Sequence, residues 1–197
     1  MTHLTIHEVP VAGRTLQIAA PADPDAMVLA GQQSGEPSPG YWANLWPSSL
    51  LLASVVAESP LLGPGVRILE IGCGLGLVGL AAALRGADVL MTDFNPLAVE
   101  AARANAQRNA LAVRAERFDW NSPPPQDWAF DLLLASDVLY EPASAAPVAR
   151  LIARLGCPAL IADPPRPRTW SPEEVFRDSG LSVWSTPSVG GRVLMVG

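Results

Sequence analysis

With 197 residues, 49% of them hydrophobic and only 16% charged, the chain has enough apolar content to fill a sizeable core, which excludes a disordered protein. A formal charge of -6 argues against a general phosphate-backbone binder, which needs a concentrated basic face, and better suits a cationic partner. No run approaches the ~20 apolar residues of a membrane span, and Met1-Thr2-His3-Leu4-Thr5-Ile6-His7-Glu8 lacks a secretory leader's basic and apolar regions, so a cytoplasmic protein that engages neither nucleic acid nor membrane is expected.

Leu4 to Ile18 has the alternation of a short hairpin, and Pro21 to Gly40 reads as a Pro- and Gly-rich loop ahead of the core. Pro47, at a first helical position, opens an apolar helix from Ser48 to Glu58 that Pro60 and Gly63-Pro64-Gly65 end. From Val66 onward strands and helices alternate. Arg67 to Ile71 reads as a buried strand that breaks into Gly72-Cys73-Gly74-Leu75-Gly76. The helix Leu77 to Arg85 then sets Leu77, Leu80, Ala81 and Leu84 on one face and stops at Gly86. Val89 to Thr92 is the next apolar run, with Asp93 at its end, and Asn95-Pro96 caps a helix reaching Asn109. Further strands are expected over Val113 to Phe118, Phe130 to Ser136 and Ala159 to Ala162. Ser171-Pro172-Glu173-Glu174 is a capping box whose helix Gly180 closes, and Leu181 to Trp184 and Arg192 to Val196 read as closing strands.

This pattern predicts an α/β fold: a Rossmann-like, seven-stranded, mostly parallel sheet with helices on both faces, a closing antiparallel pair, and an N-terminal β-hairpin and helix. Residues 1–197 are expected as a single domain, with 1–60 forming the N-terminal hairpin, loop and helix and 61–197 the core.

Glycines between Ile71 and Leu77 let the backbone turn tightly and approach a ligand that a Cβ would push away, and the following helix turns its amides toward what binds there. Asp93, twenty-one positions after Gly72, is placed for both hydroxyls of an adenosine ribose. Glu70, Asp93, Asp119, Asp137 and Asp163 all fall at or near carboxyl ends of predicted strands, and in an open α/β sheet those ends share the ligand-binding rim. Histidines are confined to His3 and His7, and Cys73 and Cys157 have neither zinc spacing nor a disulfide framework, so no metal site is expected. Gly74-Leu75-Gly76-Leu77-Val78-Gly79 matches a dinucleotide fingerprint. Glu70 beside it, however, repels a pyrophosphate and suits a cationic amine, while Asp119-Trp120 offers an acceptor for an exocyclic amine next to an indole for an adenine face. S-adenosylmethionine, with its amine, sulfonium, ribose and adenine, fits all of these groups.

Tyr41-Trp42-Ala43-Asn44-Leu45-Trp46-Pro47-Ser48, Glu70-Ile71-Gly72-Cys73-Gly74-Leu75-Gly76, Thr92-Asp93, Phe118-Asp119-Trp120 and Ser136-Asp137-Val138-Leu139-Tyr140 together resemble, in that order, the seven-strand lysine methyltransferases. Asp137-Val138-Leu139-Tyr140 resembles the family's D-x-x-Y signature. Ala162-Asp163-Pro164-Pro165-Arg166-Pro167 resembles a D-P-x-R-P segment of the electron transfer flavoprotein β-subunit lysine methyltransferases. Nicotinamide N-methyltransferase-like sequences are similar over the same stretch, so the resemblance implies a reaction class more than an acceptor. The chain departs from the pattern in its short stretch after Trp170, which leaves little room for an acceptor-binding insertion.

The resemblance implies that Gly72, Gly74 and Gly76 shape the methionine-side loop with Glu70 supporting it, that Asp93 holds the ribose, and that Asp119 and Trp120 hold the adenine. Ser136 joins the cofactor side. Trp46 is either at the mouth beside the cofactor or a core residue anchoring the Pro47 helix. Asp137 and Tyr140 are the implied catalytic pair, Asp137 capturing and aiming the acceptor amine and Tyr140 offering a hydroxyl or ring face to it. The expected activity is S-adenosylmethionine-dependent N-methyl transfer to a lysine of a protein substrate, with the β-subunit of electron transfer flavoprotein as one candidate, or to a small amine. A nicotinamide-dependent oxidoreductase and an inactive cofactor-binding partner subunit are the alternatives of other classes. All thirteen basic residues are arginine, so the chain has no lysine of its own to methylate.

Overall fold

The alternation of short apolar runs with longer amphipathic ones becomes nine strands and six α-helices among residues 3–35, 40–189 and 191–197, which the computed structural model describes. An N-terminal hairpin pairs β1 (Leu4–Val11) with β2 (Arg14–Pro21) through Ala12 and Gly13, whose φ angles of 49° and 74° are the left-handed pair that a two-residue hairpin turn needs. Next comes α1 (Pro24–Ser34), where a loop is expected from the sequence. Asp23 caps it by accepting the Ala26 amide at 2.9 Å, Pro24 suits its first turn, and Gly35 ends it at φ 71°. Residues 36–39 of the expected loop lie outside the described residues. A 3-10 turn at Tyr41–Ala43 leads into α2 (Pro47–Glu58).

The core alternates β3 (Arg67–Ile71), α3 (Leu77–Leu84), β4 (Asp88–Asp93), α4 (Pro96–Arg108), β5 (Arg114–Arg117), β6 (Leu132–Ser136), α5 (Pro142–Leu155), β7 (Ala159–Asp163), α6 (Pro172–Asp178), β8 (Val183–Ser188) and β9 (Gly191–Val196). The seven-stranded sheet has the order β5-β4-β3-β6-β7-β9-β8; β5 through β7 run parallel, and β9 lies antiparallel between β7 and β8. This is the expected Rossmann-like arrangement. Pro187 is tolerated in β8 because that strand is the sheet's edge. Strands β3 and β6 are apolar almost throughout because both of their faces are covered, with Ile68, Leu69, Ile71, Leu133, Leu134 and Ala135 fully buried.

The order reverses between β3 and β6, since β4 and β5 lie on one side of β3 and β6 and β7 on the other, and a crevice therefore opens at their carboxyl ends. Helix α5 follows β6 where no element is expected from the sequence. Pro147 removes one of its backbone hydrogen bonds, yet Ala145, Val148, Ala149, Leu151 and Ile152 bury a full face of it. At about 1.5–3 kcal/mol for a fully buried large apolar side chain, that face outweighs a single proline's cost of ~3 kcal/mol.

The hairpin is fastened to the core by two asparagines four residues apart, Asn105 on α4 and Asn109 capping its end. Asn105 accepts the Ala19 amide at 2.8 Å and donates to Ala19 O at 3.1 Å, and Asn109 does the same for Gln17 at 2.8 and 2.9 Å. Asn105 also donates to Leu75 O at 3.0 Å, which ties the hairpin and α4 to the glycine loop.

Candidate active site

A cavity of about 710 Å³, within the range of small-molecule sites, lies at the strand-order reversal. Trp46, Gly72, Gly74, Asp93, Asp119, Trp120, Ser136, Asp137 and Tyr140 all line it. Gly72 has φ 61°, and a Cβ there would fall 2.9 Å from Val138 Cγ1 and 3.3 Å from Trp120 Cζ3, so these two side chains can pack onto the loop only because the residue is glycine. Asp93, at the end of β4, is nearly buried. Its Oδ2 accepts the Gly74 amide at 3.0 Å and its Oδ1 the Asn95 amide at 2.9 Å, which clamps the glycine loop to the neighbouring strand. Burial pushes the Asp93 carboxyl up, while the amides of Asn95, Gly74 and Phe94 pull it back.

At the end of the cavity formed after β5, Asp119 lines the wall, and its Oδ1 accepts both the backbone and side-chain N–H of Asn121, at 2.9 and 2.8 Å. The Trp120 indole lies over Gly72. Trp46 lies at the mouth rather than in the core: it is 36% exposed, and its indole N–H donates to Tyr41 O at 2.9 Å. Tyr140 stands across from Tyr41 with ring centroids 6.2 Å apart, so three aromatic residues frame the entrance. Burial, and then Glu141, push the Tyr140 hydroxyl above its ordinary value, so at pH 7 it is a neutral donor rather than a base.

Asp137 ends β6 with φ 59°, a left-handed conformation that Asp and Asn tolerate better than other non-glycine residues. Its side chain is only 8% exposed. The Arg166 guanidinium donates to its Oδ1, and Ser48 Oγ lies 3.4 Å from its Oδ2. Arg166, given no role by the sequence reading, is thus the acid's direct partner from 29 positions away.

Two predicted cofactor residues do not line the cavity. Gly76 caps α3 from outside it. Glu70 points under α3, where Oε2 accepts the Gly79 amide at 2.9 Å, and Thr92 Oγ1 donates to the Glu70 backbone carbonyl at 2.8 Å. Burial pushes Glu70 up to about 8, against the opposing pull of the Gly79 amide. At neutral pH it is mainly the uncharged acid. Glu70, expected to repel a pyrophosphate by its charge, instead braces the loop from beneath and shows no charge to the cavity.

The expectation of five rim acids in register also needs correction. Asp163 is buried and turned away, with Arg168 bidentate on it at 2.5 and 2.6 Å and Arg192 at 3.0 Å. The rim's net acidity is reduced by these arginines and by Arg166.

Glu70 yields a test independent of any ligand. Between its ordinary value near 4.5 and about 8, the folded chain holds this proton more tightly than the unfolded chain does, so the group's contribution to stability is full below that window and is lost as pH rises through it. Glu70→Gln is expected to flatten the decline in stability between pH 5 and pH 8 by up to about 1 kcal/mol per pH unit, read from urea midpoints at each pH. Parallel curves for the two proteins would place Glu70 in solvent contact instead.

A Rossmann-like sheet with a glycine loop, a strand-end acid and an adenine-sized aromatic wall at the strand-order reversal defines a fold built to hold a nucleoside cofactor. The lysine methyltransferase family matches residues 28–159, more than half of the chain, and the chain belongs to that family. It is 35% identical over 106 residues to the zebrafish (Danio rerio) electron transfer flavoprotein beta subunit lysine methyltransferase, covering 53% of this chain and 41% of that one. It is also 35% identical over 108 residues to the human histone-arginine methyltransferase METTL23, covering 50% and 55%. The chain thus spans about half the length of the curated relatives it matches. Among solved structures, the Thermus thermophilus 16S rRNA N2 G1207 methyltransferase RsmC in complex with AdoMet and guanosine superposes with a TM-score of 0.73 over 99% of this chain and 50% of that one. At 18% identity, this supports the fold alone.

Proposed function

We propose that the chain is an S-adenosylmethionine-dependent N-methyltransferase whose acceptor is a lysine of another protein, with the β-subunit of electron transfer flavoprotein as the candidate suggested by the zebrafish relative. The observation that carries this is the gathering of Asp93, Asp119, Trp120, Asp137 and Tyr140 around one cavity in a chain of the lysine methyltransferase family. The donor set suits the cofactor. Asp93 keeps lone pairs free for a ribose diol, Asp119 has an oxygen for the adenine amine, and Gly72 lets the Trp120 indole sit against the loop on the cavity wall. The cofactor, when bound, supplies an electrophilic methyl on a sulfonium.

A free lysine, with a pKa ~10.4, costs about 4.6 kcal/mol to neutralise at pH 7. A carboxylate facing the amine raises that cost, so Asp137 is cast as the group that captures and aims the ammonium, whose proton passes to water before transfer. Tyr41, Trp46 and Tyr140 at the mouth exclude water from an alkyl chain and offer ring faces to its charged end. Positioning of the amine is the contribution asked of these residues. No helix among the described residues is long and apolar enough to cross a membrane, and the proposed place of action is the cytoplasm.

Incubation with methyl-labelled S-adenosylmethionine and an extract of the source cells is expected to label a polypeptide at lysine. Enzyme incubated alone should acquire no methyl-lysine, since it has no lysine. Label confined to low-mass amines would replace the protein acceptor with a small one. Calorimetric binding of NAD in place of S-adenosylmethionine would move the chain to the oxidoreductases.

A further inference from the structure

Arg166 is the one cation among the described residues that line the cavity, and it lies on Asp137, the carboxylate to which the acceptor ammonium is assigned. It comes from Pro164-Pro165-Arg166-Pro167, where prolines on both sides restrict the backbone, so the side chain is presented from a stiff loop and is 27% exposed. It also lines a second, adjoining hollow of about 450 Å³, together with Arg168, Trp170, Glu173 and Arg192.

The charges of this region balance as three carboxylates against three arginines. Asp163 is held by Arg168 and Arg192, Glu173 by Arg192, and Asp137 by Arg166. An incoming ammonium at Asp137 upsets that balance by one positive charge. It leaves Arg166 partly buried beside two other arginines, with both neighbouring carboxylates already engaged. Burial, and then Arg168, already press the Arg166 guanidinium below its ordinary value, so this surrounding is unfavourable to an unpaired cation.

We propose that Arg166 is a specificity-determining residue that occupies the ammonium's place at Asp137 and is released only when the acceptor brings a carboxylate of its own to the adjoining hollow. The acceptor class is therefore a lysine with an aspartate or glutamate beside it. The exchange gives up the Asp137–Arg166 pair and forms two, ammonium with Asp137 and Arg166 with the acceptor's carboxylate, and no proton or covalent bond changes hands. A lysine flanked only by neutral residues leaves Arg166 unpaired and binds weakly. This inference rests on the amine-acceptor reading of the site, and its test reads binding rather than turnover.

The protein saturated with S-adenosylhomocysteine is titrated calorimetrically with n-butylammonium, and with two short lysine peptides that differ only in glutamate or glutamine beside the lysine. The wild type is expected to prefer the glutamate peptide about fivefold. Arg166→Gln is expected to bind n-butylammonium at least fivefold more tightly than wild type and to lose the peptide preference, while Arg166→Lys keeps it. Asp137→Asn, whose backbone conformation asparagine accepts, frees Arg166 and is expected to bind propionate more tightly than wild type, which gives a second reading that does not depend on the Arg166 variants folding. Equal n-butylammonium affinity in wild type and Arg166→Gln, or a glutamate preference that survives Arg166→Gln, or no gain in propionate binding by Asp137→Asn, overturns the proposal. Failure of every polypeptide to take label in the extract experiment overturns the protein-lysine acceptor instead, so the two failures are told apart.

Discussion

Asp137→Asn is expected to lower turnover at least tenfold, about 1.4 kcal/mol in the barrier, while cofactor affinity stays within about threefold. The substitution is sterically quiet. Asparagine has the same outline and is among the few residues at ease at φ 59°, and the strand-continuing bond from the Asp137 amide to Ala162 O, 2.9 Å, uses no side-chain atom. What is lost is the negative charge at the end of β6. The acceptor ammonium then meets an amide and an unpaired Arg166 in place of a carboxylate, so both its capture and its aim suffer. The groups assigned to the nucleoside, Asp93 at the end of β4 and Asp119 and Trp120 after β5, are untouched. Single-turnover kinetics with saturating acceptor, paired with calorimetric titration of S-adenosylmethionine, separate the two effects. A parallel fall in cofactor affinity would make Asp137 a cofactor ligand or a structural cap.

The parts of this site legible in the sequence are those whose chemistry is local. A strand breaking into glycines, an acid ending the next strand and the Asp119-Trp120 pair each declare themselves within a few residues, and the cavity gathers them because parallel strands of one sheet share a carboxyl rim. The charge state of Glu70 was hidden. In a parallel sheet both faces are covered, so strand periodicity cannot say that this residue lies beneath α3 rather than toward a ligand. Arg166 was hidden for another reason: its partner Asp137 lies on the neighbouring strand's end, a pairing fixed by the β6–β7 register and by no spacing in the chain. Helices α1 and α5 were masked by proline. In α1 the prolines belong to a stretch that also carries a cap at Asp23 and a left-handed glycine at 35, and those signals prevail locally. In α5, Pro147 breaks the local rule and only burial of the face it belongs to, a tertiary effect, overrides it. Asn105 and Asn109 hold the hairpin's backbone, a pairing across more than 80 residues that no local pattern announces.

Asp93→Ala is expected to weaken S-adenosylmethionine binding by about 1 to 3 kcal/mol, roughly five- to 150-fold, through two losses that act at the same place. The first is direct: charge-assisted bonds from a ribose diol to a carboxylate are stronger than their neutral counterparts, and alanine offers none. The second is the clamp. Asp93 accepts the Gly74 amide at 3.0 Å and the Asn95 amide at 2.9 Å, and without it the glycine loop loses its tie to β4 and two partly buried donors lose their partner. Asp93→Asn divides these contributions. Its carbonyl oxygen keeps one of the two amide bonds but it carries no charge for the diol, so an affinity loss close to that of alanine would show that the retained clamp bond contributes little beside the charge. An affinity near wild type would assign the effect to loop geometry. Calorimetry on variants shown to be folded by thermal melting makes the measurement, and cofactor affinity unchanged in a folded Asp93→Ala protein would remove Asp93 from the nucleoside site altogether.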